Sequence, residues 1–339
     1  MIKNEFTVNT SFLNNKSILI TGGTGSFGKV FVKKLLKDSN LRRLVILSRD
    51  EYKQHIMKEE LNKYDKSNLL RFFIGDVRDS ERLNMAFRDI DYVVHAAALK
   101  QITTAEYNPF ECIHTNVLGA QNIVKASLNC KIKKVISLST DKAANPINLY
   151  GATKLAADKV FISSNLLAGS QKTIFSLVRY GNVLGSRGSV LQLFKKIIND
   201  KKLTYIPITD GNMTRFWITL NEAADFVIKS LKSMKGGETF IPKIPSMSIF
   251  DIVKSLNIKL KKKVIGIRPG EKMHEILITL EESKHTYEFE NYYIILPEWE
   301  NKKFKNHKTK KVSNNFEYVS NKNSYKLSPK KLRYFFGLI

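Results

Sequence analysis

The sequence contains only two cysteines among its 339 residues, Cys112 and Cys130. Both fall in one stretch that is predicted to be helical, which separates them by about 27 Å along its axis, too far for a disulfide bond. This excludes the class of small secreted proteins that disulfides hold together. We expect both thiols to be reduced packing residues.

Long apolar segments are also missing from this chain. No stretch approaches the run of about 20 apolar residues that a helix needs to cross a bilayer. Residues 1–16 are polar and lack the apolar core of a secretion signal. We therefore expect a cytoplasmic protein that has no membrane partner.

Acidic residues are few, since 31 Asp and Glu face 56 Lys and Arg, for a formal net charge of +25. Residues 301–339 alone hold 11 Lys or Arg and one acid, Glu317. Clustered positive charge attracts nucleic acid, but the remaining charge is scattered along Lys-rich helical faces, which are usually solvated surface. A diphosphate substrate would also favour a positive cleft, so we expect no nucleic-acid partner.

Signals for several other kinds of chemistry are absent. The sequence has no Walker phosphate loop and no nucleophile elbow. His95, His114 and His274 lack the spacing of metal ligands, and core or capping roles explain them better. We therefore expect no metal ion.

Short apolar runs alternate with helix-length amphipathic segments through the first half of the chain, whereas mixed helices, short strands and loops follow. The alternation is typical of βαβ units, in which helices cover both faces of a parallel sheet. The sequence thus predicts an α/β fold with a Rossmann-type doubly wound parallel sheet in residues 1–180. A smaller mixed α/β substrate-binding domain would occupy 181–300, with some return to the first domain. The six predicted strands are 18–20, 44–47, 70–74, 92–94, 135–138 and 174–178.

The last part of the chain, residues 301–339, is predicted to be a basic and partly disordered tail. Its segment 301–323 lacks apolar periodicity, so we expect this segment to be dispensable for chemistry. The final stretch, 327–339, is more apolar and would dock on the body.

A glycine-rich segment, Thr21–Gly28 (TGGTGSFG), joins the first predicted strand to a helix. Glycines at such a junction let the backbone approach a pyrophosphate, while the helix amides point at the anion. The position at the first strand of an alternating series makes a dinucleotide site the best explanation. The expected contacts are Gly22, Thr24, Gly25, Ser26, Phe27 and Gly28.

The end of the second strand distinguishes NAD from NADP. NAD-binding proteins place an acid there for the ribose 2′-hydroxyl, whereas this chain has Ser48 and Arg49, with Lys53 close behind. A guanidinium stacks on adenine and pairs with a 2′-phosphate, so the sequence favours NADP, while Asp50 keeps NAD as an alternative. After the third strand, Asp76 would accept a hydrogen bond from the adenine amino group.

Tyr150 and Lys154 stand four residues apart at the start of a predicted helix that follows the fifth strand. On one helical face, the ammonium of Lys154 would lower the phenol pKa of Tyr150 and hold the nicotinamide ribose. The phenolate would then take a proton from a substrate hydroxyl as hydride leaves the same carbon.

Together these motifs resemble the inverting UDP-N-acetylglucosamine 4,6-dehydratases, extended short-chain dehydrogenase/reductases that open pseudaminic acid biosynthesis. The resemblance runs from about Ser17 to Pro297 and implies tightly held NADP, UDP-N-acetylglucosamine bound between two domains, and a homo-oligomer, often a hexamer. It also implies cofactor contacts from Val77, Ala96 and Ala98. The motifs are Thr21–Gly28, Ser48–Glu51 (SRDE), His95–Lys100 (HAAALK), Ser139–Pro146 (STDKAANP), Tyr180–Gly188 (YGNVLGSRG) and Arg268–Glu275 (RPGEKMHE).

Asp141 and Lys142 carry the most specific part of this resemblance, because retaining 4,6-dehydratases typically have Asp-Glu at these positions. The resemblance makes Lys142 the base at C5 and Asp141 the group that assists departure of the C6 hydroxyl, beside Thr140. Lys142 is a base only if burial and neighbouring cations depress its pKa, conditions that a closed cleft supplies.

The resemblance further implies a set of substrate contacts beside Lys142, in loops after the strands. Guanidinium and amide groups suit a diphosphate and sugar hydroxyls. One departure from the family pattern is Gln101–Thr104, where relatives have a His-Val-Pro-like stretch. The remaining expected contacts are Lys100, Asn182, Arg187, Arg215, Arg268 and Glu271.

Other functions are open on the same fold, because fold and cofactor do not fix the reaction. A retaining UDP-sugar 4,6-dehydratase or a UDP-sugar 4-epimerase is one alternative, and Lys142 argues against both. A non-enzymatic sensor that binds NADP, with the tail on nucleic acid or a membrane surface, is another. Intact Tyr150, Lys154 and Asp141 argue against it.

Overall fold

The computed structural model describes residues 6–186, 205–255, 260–300 and 309–335. Arg187, an expected substrate contact, lies outside them. The strands are β1 (Ser17–Thr21), β2 (Arg43–Ser48), β3 (Leu70–Ile74), β4 (Tyr92–His95), β5 (Lys134–Thr140), β6 (Ile174–Tyr180), β7 (Asn182–Leu184), β8 (Tyr205–Ile208), β9 (Thr214–Thr219), β10 (Thr239–Pro242), β11 (Ser246–Ser248), β12 (Lys261–Val264), β13 (Ile276–Ile278), β14 (Thr286–Glu288), β15 (Tyr292–Ile295), β16 (Lys310–Lys311) and β17 (Tyr318–Val319).

The α-helices are numbered in the same way along the described part of the chain. They are α1 (Ser26–Asp38), α2 (Glu51–Leu61), α3 (Ser80–Ala86), α4 (Ile102–Tyr107), α5 (Pro109–Ile113), α6 (Gly119–Asn129), α7 (Leu149–Ser163), α8 (Leu220–Ser233), α9 (Ile249–Ser255), α10 (Leu280–Ser283) and α11 (Pro329–Phe335). None of them combines the length and apolar character that a bilayer span requires.

The central sheet has ten strands in the order β16-β14-β15-β10-β6-β5-β4-β1-β2-β3. Strands β1 to β6 are all parallel, and every residue of β1 is buried because helices cover both faces. The Rossmann-type doubly wound sheet is therefore confirmed, and the six predicted strands match within two residues at each end. The chain places β2 and β3 on one side of β1 and β4, β5 and β6 on the other, so the direction of strand addition reverses between β1 and β4. In sheets of this kind, ligands bind in the crevice that such a reversal leaves at the carboxyl ends of the strands.

The second half of the chain adds to this sheet and also forms a smaller lobe. Strand β10 continues the parallel sheet beside β6, and β15, β14 and β16 follow as antiparallel strands. The lobe contains the sheet β11-β9-β7 and the pair β12-β8 around its own apolar core, in which Trp217 and Ile252 are buried. Segments that return to the first sheet thus alternate with segments that build the lobe.

Residues 309–335, which belong to the expected basic tail, are folded. Strand β16 pairs with β14 at the sheet edge, and β17 pairs with β13. Tyr318 lies in the main core, while Leu327 and Leu332 lie in the core of the lobe. The interpretation of 309–323 as a tail that does not pack on the body is therefore corrected, since its lysines lie at the surface while Val312, Tyr318 and Val319 are buried. The expected docking of the last stretch agrees with the burial of Leu327 and Leu332. That 301–323 is dispensable for chemistry stays a prediction.

Tyr318 provides a test of this correction. Its buried hydroxyl donates to the carbonyl of Ile244 and accepts from the Ile244 amide, both at 2.9 Å. Tyr318→Phe is expected to lower the free energy of unfolding by about 1–3 kcal/mol, since the buried amide of Ile244 loses its partner and the carbonyl keeps only the side chain of Asn323. Urea unfolding measures this loss, and the exposed Tyr334→Phe should change stability by less than about 0.5 kcal/mol. Equal stability of both variants would contradict the packing described here.

Candidate active site

The glycine-rich loop joins β1 to α1 at the crevice. Helix α1 begins after Gly25, which has extended backbone and contributes no side-chain cap. A Cβ on Gly28 would clash with the carbonyl oxygen of Gly23, so only glycine lets the helix pack this closely against the loop. An uncapped helix N-terminus beside a side-chain-free turn suits a pyrophosphate. The residues present therefore fit a dinucleotide.

The basic residues after β2 lie where the sequence places them, yet most have partners within the chain. The hydroxyl of Ser48 is buried and accepts from Gln54 at 3.0 Å. Lys53 forms an ion pair with Asp50, the cap of α2. The guanidinium of Arg49 is about half exposed, 3.7 Å from the carboxylate of Asp76. Arg49 is thus the most accessible of the three predicted contacts.

Asp76 follows β3, where the sequence predicts a contact with the adenine amino group. Arg78 donates to both carboxylate oxygens of Asp76 at 2.8–3.0 Å, and these bonds hold the pKa of Asp76 below its usual value despite burial. An adenine amino group would share this carboxylate with Arg78. Val77 is buried, and Ala96 and Ala98 are half-buried in the loop after β4.

Tyr150 and Lys154 are both buried on the first turns of α7. Asn148 caps this helix through the Gly151 amide at 2.7 Å, and a Cβ on Gly151 would clash with the carbonyl oxygen of Lys142. The helix start is therefore pressed against the segment that carries Lys142. The ammonium of Lys154 donates to the carbonyl of Leu138 at 2.8 Å, which fixes it beside β5.

The pKa of the Tyr150 phenol differs from the expected one. Burial raises its pKa to about 12, and the strongest opposing influence is the charge of Lys142 rather than that of Lys154. Burial also lowers the pKa of Lys154. The expected lowering of the phenol pKa by Lys154 is therefore not observed, because desolvation outweighs the nearby positive charge.

Lys142 lies at the centre of a buried group of charges. Its ammonium is 3.0 Å from Asp141, 3.3 Å from Glu275 and 3.3 Å from the side-chain oxygen of Asn182. Thr140 donates to the same Asp141 oxygen at 3.0 Å. These partners come from the end of β5, from β7 and from the residue before β13, so the fold brings together groups that are far apart in sequence.

The charge state of Lys142 also departs from the expectation. Burial lowers its pKa, but Asp141 and Glu275 outweigh burial, so the pKa lies above its ordinary value. The predicted depression of the Lys142 pKa is therefore wrong here, because the two carboxylates outweigh burial and the neighbouring cations Arg215 and Lys272. Burial in turn raises the pKa of Asp141.

A cavity at the carboxyl ends of the strands collects most of the predicted substrate contacts. It contains Lys142, Asn182, Arg215 and Glu271, while Arg268 is largely exposed, with its guanidinium 3.9 Å from Glu271. Lys100 is exposed in the loop after β4 and is not part of the lining. The other lining residues are Ile102, Asn148, Gly270, Lys272 and Glu275.

Lys272 and Glu275 are the residues that sequence reasoning missed. Both belong to the RPGEKMHE motif, so the motif was a signal, but its spacing does not say which members face the cavity. Burial lowers the pKa of Lys272, whose ammonium donates to the carbonyl of Ala144 at 2.6 Å. Within the described residues, no three His, Cys, Asp or Glu side chains converge as a metal site.

Comparison with known proteins adds to this geometry. Residues 18–297 match the family model described as polysaccharide biosynthesis protein. Two proteins of Campylobacter jejuni named UDP-N-acetylglucosamine 4,6-dehydratase (inverting) are 56% and 51% identical, over 84% and 94% of this chain and 84% and 96% of their own. The X-ray structure of Pen from Bacillus thuringiensis is 38% identical, with a TM-score of 0.88 over 97% of this chain and all of Pen. The chain therefore belongs to the polysaccharide biosynthesis protein family, in the group of extended short-chain dehydrogenase/reductases that contains the inverting UDP-N-acetylglucosamine 4,6-dehydratases.

Proposed function

We propose that this protein is a UDP-N-acetylglucosamine 4,6-dehydratase that inverts C5. Its product is UDP-2-acetamido-2,6-dideoxy-β-L-arabino-hexos-4-ulose, and the reaction opens pseudaminic acid biosynthesis in the cytoplasm. The observation that carries the proposal is the contact between Asp141 and Lys142 at the cavity, next to the helix that bears Tyr150. A carboxyl and an amine in contact are the acid and base that elimination of water requires.

The cofactor in this proposal is NADP. When bound, it accepts a hydride from C4 of the sugar and later returns that hydride to C6. The loop before α1 holds its pyrophosphate, and Arg49 pairs with its 2′-phosphate. Asp76 and Val77 contact the adenine, and the half-buried Ala96 and Ala98 contact the rest of the dinucleotide.

Arg49→Ala tests the cofactor preference. Loss of a charge-assisted phosphate pair is expected to weaken NADP binding by about 1.5–3 kcal/mol, with little change for NAD, which has no 2′-phosphate. Calorimetric titration of the cofactor-free protein measures both affinities. Arg71→Ala, an exposed arginine on β3, is the matched control and should change neither. Equal weakening of the two cofactors by Arg49→Ala would contradict the assignment.

Tyr150 acts first, on the hydroxyl at C4. Burial raises the pKa of its phenol to about 12, so a cationic environment must favour the phenolate. The charge of Lys142 contributes to it, and Lys154 holds the nicotinamide ribose from the next turn of α7. Once formed, the phenolate takes the hydroxyl proton as hydride leaves C4.

Elimination follows at C5 and C6, because the new ketone acidifies the C5 proton. Lys142 starts as an ammonium, so it first gives a proton to Asp141, which is in contact at 3.0 Å and whose pKa burial raises. The neutral amine takes the C5 proton, the C5–C6 double bond forms, and the C6–O bond breaks. Asp141 protonates the departing hydroxyl to give water, which restores the resting ion pair. Hydride returns to C6, and C5 takes a proton from solvent on the opposite face. Tyr150 then releases to solvent the proton that it took from the C4 hydroxyl, which restores the starting protonation states.

The sugar nucleotide lies between the main sheet and the lobe. Asn182, Arg215 and Glu271 line the cavity for the sugar and the diphosphate. Arg268 and Lys100 lie further out, where their exposed cations suit phosphate oxygens, and Arg187 completes the set by resemblance.

The assembly that we propose is a homo-oligomer, a hexamer by resemblance. Exposed apolar side chains on one helical region support it, since Tyr107 is 91% and Phe110 is 72% exposed. Light scattering of the purified protein measures the subunit number, and a monomer would contradict this proposal.

One experiment tests the proposed reaction. The purified protein is given UDP-N-acetylglucosamine without added cofactor, and the product is identified by NMR coupling constants before spontaneous epimerisation. The L-arabino 4-ketosugar is expected. A D-xylo product would instead indicate a retaining dehydratase, and UDP-N-acetylgalactosamine would indicate a 4-epimerase.

A further inference from the structure

Glu275 stands between two cations that line the cavity. Its side chain is 2% exposed, and one carboxylate oxygen is 3.3 Å from the ammonium of Lys142 and 3.6 Å from the guanidinium of Arg215. The second oxygen is buried and has no hydrogen-bond partner among the described residues. One carboxylate from the motif loop therefore holds a cation from the main sheet and another from the lobe.

The backbone of Glu275 is itself firmly held. Its amide donates to the hydroxyl of Ser320 at 2.9 Å, and its carbonyl accepts from the Ser320 amide at 2.9 Å. The same hydroxyl is 2.6 Å from that of Thr214, which precedes Arg215 on β9. The carboxylate thus comes from a segment that is fixed on both sides, as accurate placement of a charge requires.

The acceptors around Lys142 have unequal roles. Asp141 is its chain neighbour and Asn182 lies on β7, whereas Glu275 alone of the three also contacts Arg215. We propose that Glu275 is a positioning residue, which holds Lys142 and Arg215 across the cleft in the geometry that C5 proton transfer needs. This inference rests on the proposed dehydratase function and assigns a role that the reaction itself does not reveal.

The proposal separates the two halves of the reaction. Tyr150 and Lys154 lie on α7, and no described contact joins Glu275 to either of them. Glu275→Gln is therefore expected to lower turnover about 100-fold, in the range of lost proton-transfer catalysis, while the first cofactor reduction slows less than about 3-fold. Reduced cofactor should then accumulate in stopped-flow absorbance after mixing with UDP-N-acetylglucosamine.

Two further variants make the test specific. Glu275→Asp keeps the charge and should recover about 10-fold of the lost turnover. Glu281→Gln removes an exposed carboxylate six residues along the chain and should behave as wild type. Normal turnover of Glu275→Gln, or equal slowing of both half-reactions in a folded protein, would overturn the positioning role.

A chemical measurement tests the inference independently of turnover. Besides Glu275, the ionisable groups facing Lys142 are Asp141, Arg215, Tyr150 and Lys272. Removing the Glu275 charge lowers the Lys142 pKa, so limited acetylation with acetic anhydride should label Lys142 several-fold faster in Glu275→Gln, relative to the exposed Lys172. Peptide mass spectrometry measures the ratio, and an unchanged ratio would overturn the proposal. If the wild-type protein makes no 4-ketosugar, the dehydratase proposal fails. The labelling ratio still measures the effect of Glu275 on Lys142, so the two failures can be distinguished.

Discussion

Lys142→Ala is expected to lower dehydration by about 10³-fold and to abolish proton exchange at C5, because the variant lacks the amine that removes this proton. In D₂O the wild-type protein should give a product with deuterium at C5, while the hydrogen moved from C4 to C6 stays undiluted. NMR and mass spectrometry of the sugar nucleotide measure both labels.

The variant separates base chemistry from hydride transfer. Lys142→Ala also removes the charge that most lowers the Tyr150 pKa, so cofactor reduction should slow but remain measurable. The exposed Lys262→Ala serves as the control and should match wild type. Deuterium at C5 in the product of Lys142→Ala at the wild-type rate would show that another group is the base.

Tyr150→Phe should block the reaction one step earlier. Without the phenol no group takes the C4 hydroxyl proton, so cofactor reduction is expected to fall by about 10²- to 10⁴-fold. Exchange at C5 should disappear with it, because the C5 proton is acidic only in the 4-ketone. Rapid-mixing absorbance and D₂O exchange measure the two losses in one preparation.

Tyr318→Phe is the matched control, because it removes a buried phenol that lies away from the cavity. At urea concentrations below its unfolding midpoint, the Tyr318→Phe variant should reduce the cofactor at the wild-type rate. If Tyr150→Phe still exchanges the C5 proton rapidly, the order of steps proposed here is incorrect.

The fold was predictable because its determinants are local. Runs such as Leu44–Leu47 are too apolar for an exposed strand and too short for a helix, and the glycines after β1 mark where the backbone meets the crevice. The pair Asp141 and Lys142 could also be predicted from the sequence, since both residues directly follow β5. Residues that are close together in sequence determine all of these features.

The rest depended on distant contacts. Glu275 is 133 positions from Lys142, and sequence spacing does not place this second carboxylate beside the one from Asp141. The shift of the Tyr150 pKa likewise depends on burial, and this phenol packs against Ala105 and Cys112, which are about 40 positions away in sequence. The lysines of the last segment obscured five apolar residues, Val312, Tyr318, Val319, Leu327 and Leu332, which are buried.

The bonds between Ser320 and Glu275 have a consequence for biosynthesis of the chain. Ribosomes release residues in order, and N-terminal portions fold first, so strands β1 to β6 emerge long before Ser320. Until Ser320 leaves the exit tunnel, Glu275 lacks both backbone partners described above. A nascent or prematurely terminated chain without a free Ser320 would thus have its glycine-rich loop in place, while the segment that carries Glu275 lacked these two hydrogen bonds.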